Sequence, residues 1–298
     1  MSNLKAWVVS LRLRTLPLAL STIFMGSVVA AQQNLFNGYV LLWASLTTLF
    51  LQILSNLSND YGDALSGADN ALRQGPKRMI QSGVISLMQM KRAMIICALL
   101  ALVSGMVLLF VSFETISFVQ LGFLLLGLAS IAAAIRYTVG KKPYGYRGLG
   151  DLYVFLFFGL LGVAGTWFLH TNSWQWSVLL PAASIGFFSA GVLNLNNIRD
   201  LESDRDSGKY TLVVKMGRKR AMWYHLALIT AGWLAISFFM LGSRDNMKLW
   251  PVVFSLPFFV RNVITVFVDS RAEKLDGELR NLSLSTLLFV ILSALTLI

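Results

Sequence analysis

The chain has 298 residues, of which 56% are hydrophobic and 13% are charged, and its mean hydropathy is +0.67. This composition excludes an ordinary water-soluble domain and indicates an integral membrane protein in a lipid bilayer. The formal net charge of +11 is compatible with nucleic acid binding, but the positions of the cations along the chain, described below, argue against such a partner.

Nine apolar segments are long enough to cross a bilayer as helices, since a crossing takes about 20 residues. Barrel strands would instead alternate apolar and polar residues over about 10 positions. The sequence therefore predicts an all-α integral membrane protein with about nine transmembrane helices, in a single domain over residues 1–298. The segments cover approximately residues 15–31, 38–58, 93–112, 115–135, 151–169, 176–196, 221–242, 248–269 and 281–298.

The cations predict the orientation of these spans. All but three of the 25 Lys and Arg residues lie before the first span or in the connections after the second, fourth, sixth and eighth spans. The exceptions are Arg244 and Lys248 on the other side and Arg261 within the eighth span, whose role stays open. By the positive-inside rule, the N-terminus is predicted in the cytoplasm and the C-terminus outside, in a bacterial cytoplasmic (inner) membrane.

The first polar features of the chain flank the first two spans. Arg12 and Arg14 precede the first span, a position that favours anchoring at the membrane surface. The second span ends in what we call the first Asp cluster, which is predicted to be cytoplasmic and consists of Asn56, Asp60, Asp63 and Asp69. On a helix Asp60 and Asp63 share a face, and Asn56 lies one turn before them.

The connection between the fourth and fifth spans, residues 136–151, has an unusual composition. It interleaves four cations with three tyrosines and four glycines, including Tyr137, Lys141 and Tyr144. This composition suits a pocket with aromatic walls that binds an anion. An ordinary cytoplasmic turn is the alternative interpretation.

A second Asp cluster, formed by Asn196, Asp200 and Asp204, closes the sixth span on the same predicted side and is followed by Lys209. Both clusters follow the same order, with an apolar span, then Asn and Asp, then cations and Gly. This order predicts two parallel pseudo-repeats of four helices, about residues 10–135 and 150–270, with the ninth helix as an addition.

Two such clusters predict a metal site. A single Asp pair at a helix end is usually a cap or a solvated turn, but several converging carboxylates repel one another unless a cation joins them. Mg²⁺ binds through one or two carboxylates together with phosphate oxygens of a substrate. A diphosphate beside a bilayer implies an isoprenoid tail, whose allylic C–O bond ionises so that an electron-rich acceptor captures the carbocation.

Four segments of the sequence support a family resemblance. The segments are Asn59-Asp60-x-x-Asp63, the tyrosine and glycine residues of 137–151, Asp200-x-x-x-Asp204, and residues 208–214. In them the chain resembles the UbiA superfamily of intramembrane aromatic prenyltransferases, and the tyrosine-glycine segment is most similar to its menaquinone branch. The last Asp of the first superfamily motif is replaced here by Gly67, and Asp69 follows two residues later.

The resemblance implies a bundle of about nine helices around a central cavity that cytoplasmic loops cap. It also implies a Mg²⁺-dependent transfer of a polyprenyl group from polyprenyl diphosphate to 1,4-dihydroxy-2-naphthoate, with loss of CO₂ and diphosphate, giving demethylmenaquinol. The implied metal ligands are Asn56, Asp60, Asp63, Asn196, Asp200 and Asp204, with Asp69 as an additional candidate. The implied diphosphate contacts are Arg78, Lys141, Arg199 and Lys209, and the implied acceptor pocket contains Tyr137 and Tyr144.

Two alternatives stay open at the level of sequence. One is a sibling prenyltransferase that acts on 4-hydroxybenzoate or another aromatic ring. The other is a secondary transporter that uses the Asp residues for ion coupling, although transporters tend to place such acids near the midplane on broken helices.

Overall fold

The computed structural model of the protein describes residues 3–67, 78–242, 250–269 and 271–297. All regular structure in these ranges is helical. A π-helical stretch, Phe155–Gly165, joins α6 to α7. The helices are α1 (Asn3–Leu11), α2 (Leu16–Gln32), α3 (Gly38–Ser66), α4 (Leu87–Ser112), α5 (Phe118–Arg136), α6 (Gly150–Val154), α7 (Thr166–Thr171), α8 (Leu179–Arg199), α9 (Leu201–Asp206), α10 (Leu212–Met216), α11 (Arg218–Leu241), α12 (Trp250–Val253), α13 (Leu256–Val268) and α14 (Ala272–Leu297).

Within the described ranges these helices make nine membrane-length spans, which confirms the predicted architecture. The spans are α1–α2, α3, α4, α5, the α6–α7 unit, α8, α11, α12–α13 and α14. Several of them extend beyond the apolar segments predicted from sequence, and α4, for example, begins at Leu87. Helix α3 continues to Ser66, so that it carries Asp60 and Asp63 itself, and α14 begins at Ala272, well before the apolar run.

Local sequence explains where the spans begin and end. The side chain of Asn37 caps α3 by accepting the N–H of Tyr39 at 2.9 Å. Ser86 and Gln89 cap α4 reciprocally, because each side chain accepts the other residue's backbone N–H. Gly67 ends α3 at a φ of 73°, a left-handed conformation that a residue without Cβ adopts at low cost.

The largest cluster of buried apolar residues lies between α2, the π-helical stretch, α8, α11, α13 and α14. Trp167, Phe188, Phe259 and Phe289 are fully buried there. A Cβ on Gly159 would lie 2.8 Å from the Cα of Gly186, so the π-helical stretch and α8 approach each other closely only because both positions are Gly. In contrast, α5 has most of its apolar side chains exposed, as expected of a helix that faces lipid.

This uneven packing leaves a cavity of about 390 Å³ between α2, α3, α4, α5, the π-helical stretch and α8. Its lining on α3 runs from Ala44 to Asp63, roughly 28 Å along the helix at 1.5 Å per residue. One end of the cavity is apolar and includes Leu109, Phe123 and Leu169. The other end, where α3 and α8 finish, is polar, and we call it the site end.

Candidate active site

The first Asp cluster lies on the last turns of α3 and is enclosed by cations from other parts of the chain. Asp60 and Asp63 are 2% and 3% exposed. Asp60 pairs with Arg12, and its Oδ1 lies 3.4 Å from Nε of Arg78. Asp63 accepts from Nη2 of Arg78 and from the hydroxyl of Tyr146, both at 2.5 Å. Buried carboxylates of this kind are stabilised by complete ion pairing.

Asn56, one turn earlier on α3, ties the N-terminal segment to this cluster. Its Nδ2 donates to the carbonyl of Leu11 and to the hydroxyl of Thr15, both at 3.0 Å. Its Oδ1 accepts from Gln52 at 3.3 Å. Asn56 lines the cavity, so its oxygen lies at the site end.

The second Asp cluster begins where α8 ends. Arg199 donates from Nε and Nη2 to the two carboxylate oxygens of Asp200, at 2.9 and 2.6 Å, and from Nη2 to Asn196 at 2.9 Å. Asp204 lies one turn further on, and its Oδ1 is 3.4 Å from Nζ of Lys209. Its Oδ2 is buried and has no hydrogen-bond partner among the described residues.

The two clusters meet across the site end of the cavity. Asp63 and Asp204 both line it together with Lys209, whose ammonium lies 5.5 Å from the ring centroid of Tyr146. Burial raises the pKa of Asp204 to about 6. The positive charge of Lys209 opposes this increase in pKa, and the negative charges of Asp200 and Asp63 contribute to it. Burial alone would lower the pKa of the Lys209 ammonium, but the negative charges of Asp63 and Asp204 hold that pKa above the ordinary value.

An aromatic wall continues from the site end toward the apolar part of the cavity. Tyr137 and Tyr144 meet edge to face with centroids 5.3 Å apart, and Tyr144 stacks on Tyr153 at 4.0 Å. All three line the cavity. Burial raises the pKa of the Tyr137 and Tyr144 phenols, so both remain protonated.

Not every predicted residue reaches the cavity. Arg78 and Lys209 do, whereas Lys141 is exposed and lies outside the lining. The guanidinium of Arg199 is occupied by protein side chains and is not part of the lining. Asp60 lies behind Arg12 and Arg78 rather than on the cavity wall. Asp69 falls outside the described residues.

The sequence-based prediction did not place Arg12, Arg14 or Asp276 at the site end. Arg12, interpreted there as a membrane anchor, pairs with Asp60 and has a left-handed backbone, with φ 49°. Arg14 donates to Asp276 at 2.6 Å. No local signal marks these residues, because the partners lie 48 and 262 positions away.

The chemistry of these groups fits Mg²⁺ shared with a substrate. In the described part of the chain, no group of three or more His, Cys, Asp or Glu side chains is gathered closely enough to hold a metal ion alone. Each cluster instead offers carboxylate and amide oxygens, and the buried Oδ2 of Asp204 has no partner. Mg²⁺ accepts few protein carboxylates and completes its octahedron with water and phosphate oxygens.

Comparison with known proteins identifies the family. The model of the UbiA prenyltransferase family matches residues 19–289. The chain belongs to this family. It is 43% identical over 295 residues to the 1,4-dihydroxy-2-naphthoate octaprenyltransferase of Escherichia coli, covering 97% of this chain and 95% of that protein. It is 40% identical over 298 residues to the enzyme of the same name from Haemophilus influenzae, covering 99% and 96%.

The fold of this UbiA family member also matches a solved structure. A UbiA homolog from Archaeoglobus fulgidus, bound to DMAPP and Mg²⁺, aligns with a TM-score of 0.61 at 17% identity. The alignment covers 96% of this chain and 98% of the homolog. At this identity the match establishes the shared helical fold.

Proposed function

We propose that the protein transfers a polyprenyl group from an allylic polyprenyl diphosphate to 1,4-dihydroxy-2-naphthoate, with loss of diphosphate and CO₂, to give demethylmenaquinol. The observation that carries this proposal is the convergence of two carboxylate clusters on one cavity that is cationic at one end and apolar along the rest. The names of the two full-length relatives support the naphthoate acceptor and an octaprenyl donor.

The cavity provides separate places for the two parts of the donor. Arg78 and Lys209 lie at the site end and are placed to contact the diphosphate, to which they donate charge-assisted hydrogen bonds. The isoprenoid tail lies in the apolar part, between α3, α4, α5 and the π-helical stretch. We do not assign Lys141 or Arg199 to the diphosphate, because one is exposed and the other is occupied by carboxylates.

The carboxylates of Asp60, Asp63, Asp200 and Asp204 would hold Mg²⁺, assisted by the amide oxygens of Asn56 and Asn196. When bound, Mg²⁺ neutralises the charge that develops on the leaving diphosphate. Its presence in the solved homolog of the same fold supports this cofactor. Arg12 and Arg78 now neutralise Asp60 and Asp63, so these arginines must release part of their contacts as a metal and diphosphate enter.

The remaining steps follow from the positions of the side chains. The diphosphate, held by Arg78 and Lys209, takes the bonding electrons when the allylic C–O bond breaks. The ring faces of Tyr137 and Tyr144 stabilise the resulting carbocation by cation–π attraction and exclude water from it. The ring carbon that carries the carboxylate bonds to the cation. Its bond to the carboxylate then breaks, CO₂ leaves and the bonding electrons return to the ring, so that no protein base is required.

The asymmetry of the cations supports an orientation in the membrane. We infer that the N-terminus and the site end face the cytoplasm, and that the C-terminus lies outside, in the bacterial cytoplasmic membrane. A water-soluble aromatic acid then reaches the site end directly, whereas the lipophilic donor and product remain within the bilayer.

The proposal is tested by incubating membranes that contain the protein with Mg²⁺, octaprenyl diphosphate and either 1,4-dihydroxy-2-naphthoate or 4-hydroxybenzoate. Mass spectrometry should reveal a prenylated, decarboxylated naphthalene product that is absent from control membranes and disappears when EDTA is added. Prenylation of 4-hydroxybenzoate alone would contradict the assigned acceptor. Mg²⁺-independent solute flux without a prenylated product would instead indicate a transporter.

A further inference from the structure

Asp276, on the second turn of α14, bridges two arginines from distant parts of the chain. Its Oδ2 accepts from Nη1 of Arg14 at 2.6 Å, and its Oδ1 accepts from Nη1 of Arg199 at 2.5 Å. These partners lie 262 and 77 positions away in the sequence. The Asp276 side chain is 26% exposed, whereas that of Arg199 is 2% exposed, so the bridge closes over a buried guanidinium.

The contacts of Arg199 determine the position of two residues at the site end. Its Nε and Nη2 bind both oxygens of Asp200, its Nη2 also binds Asn196, and its Nη1 binds Asp276. A guanidinium is planar and holds its donors in a fixed fork. Any rotation that releases Asp276 therefore also tilts the donors that hold Asp200 and Asn196.

We propose that Asp276 is a positioning residue for the metal site, a role that rests on the proposed function. By holding Nη1, it fixes the plane of Arg199 and, through it, the Asp200 carboxylate and the Asn196 amide. Its negative charge also offsets the positive charges of Arg14 and Arg199. Without it, more net positive charge would remain next to the place where a divalent cation binds. Residues that orient metal ligands in this way commonly change metal affinity by about 10- to 100-fold when they are replaced.

A purely structural role, in which Asp276 only fastens α14 to the bundle, makes a different prediction. It would lower the melting temperature without changing the dependence on metal ion. Asp276→Asn separates the two roles, because the amide keeps the shape of the side chain but loses the charge and one acceptor oxygen. Asp276→Glu keeps the charge and should recover part of the function.

The experiment measures Mn²⁺ binding by electron paramagnetic resonance to the purified, detergent-solubilised protein saturated with an unreactive prenyl diphosphate analogue. The diphosphate supplies part of the metal's oxygen ligands, and Mn²⁺ accepts the same oxygen ligands as Mg²⁺. Asp276→Asn should weaken Mn²⁺ binding about tenfold and raise the Mg²⁺ concentration for half-maximal activity by a similar factor. Asp269→Asn is the matched control. This acid precedes the same helix and pairs with Arg271, whose side chain is 71% exposed and which is not part of the cavity lining, so its loss should leave both values unchanged.

Unchanged Mn²⁺ affinity in a folded Asp276→Asn variant would overturn the proposal. If that variant does not fold, as judged by gel filtration, Arg199→Lys tests the same link, because lysine keeps the charge but lacks the fork. Wild-type Mn²⁺ affinity in Arg199→Lys would overturn the proposal as well. Failure of the proposed function is recognised separately, by wild-type membranes that form no prenylated naphthalene.

Discussion

At the scale of single residues, the site end is a set of buried carboxylates that differ in how completely they are paired. Asp60, Asp63 and Asp200 each contact a guanidinium at the site end. Removing one partner of such a buried pair leaves an uncompensated charge and costs on the order of 3–5 kcal/mol. Loss of activity in these variants would therefore combine lost chemistry with lost stability.

A substitution of Asp204 separates the loss of chemistry from the loss of stability. Asp204 pairs only with Lys209, at 3.4 Å, and its Oδ2 has no partner in the described residues. We expect Asp204→Asn to lower the rate of prenyl transfer by about 100-fold or more, since it removes a charged ligand from the metal site. The melting temperature should stay within a few degrees of wild type, because burial already disfavours the charged form of Asp204, whose pKa is raised to about 6, and because Asp63 still faces Lys209.

Glu202→Gln provides the control for this prediction. Glu202 lies on the same short helix, α9, but its side chain is 72% exposed and pairs with the exposed Arg205. The Glu202→Gln variant should transfer the prenyl group at the wild-type rate in the same membrane assay. A near-normal rate for Asp204→Asn would remove Asp204 from the metal site.

At the scale of elements, the site depends on a close contact between α3 and the segment that follows α5. Gly62 lies between Asp60 and Asp63 on α3, and the hydroxyl of Thr138 donates to the carbonyl of Ser58 at 2.8 Å. A Cβ on Gly62 would lie 2.6 Å from the carbonyl oxygen of Thr138. Because that oxygen belongs to the backbone, it cannot rotate away from an added methyl group.

Gly62→Ala is therefore expected to push the tyrosine-glycine segment away from α3. The cost of such overpacking is about 1–3 kcal/mol, and the melting temperature in detergent should fall by several degrees. Activity should fall too, because Tyr146 on the displaced segment holds Asp63. Gly122→Ala on α5 is the matched control, since a Cβ there meets nothing within 4 Å. Equal melting temperatures for both variants would contradict this contact.

The elements themselves were predictable from sequence because hydropathy is a local property. The nine spans follow from apolar runs of the necessary length, and the Asp clusters follow from their positions at the ends of two such runs. The extension of α14 to Ala272 was missed, because Glu273, Lys274 and Asp276 interrupt the hydropathy although they do not interrupt a helix. Asp276 lies in that missed extension.

The side-chain partners were less predictable than the elements. Helical spacing places Asp60 and Asp63 on one face, and this requires only local geometry. The pairing of Arg12 with Asp60 and of Asp276 with Arg199 depends on how the spans pack around the cavity. Local pattern therefore favoured a membrane anchor for Arg12, whereas tertiary packing places it against the first cluster.

At the scale of the whole molecule, the two ends of the bundle differ in chemistry. The site end carries the paired arginines and carboxylates. The opposite end carries Trp174 and Trp176, which are 47% and 75% exposed. Exposed tryptophans are enriched where a protein crosses the membrane–water interface, and clustered cations mark the cytoplasmic side. The tryptophans therefore mark the membrane interface at the opposite end, and the cations support a cytoplasmic site end.

Cysteine labelling in intact cells tests this orientation. The chain contains one cysteine, Cys97, partly buried in α4, so Cys97→Ser gives a background without thiols. Ser173→Cys introduces an exposed thiol beside Trp174, and Glu202→Cys introduces one at the site end. A membrane-impermeant maleimide should label the cysteine at 173 in intact cells. The cysteine at 202 should be labelled only after the cells are broken, because the bilayer separates it from the reagent until then.

Activity in each variant shows that the labelled population is folded. Both substitutions lie at exposed positions, so both variants should prenylate the acceptor at the wild-type rate. The reverse labelling pattern would place the two carboxylate clusters outside the cell. Because the cation distribution is the sole basis for the assigned direction of substrate entry, that result would also reverse the side from which the aromatic acid reaches the cavity.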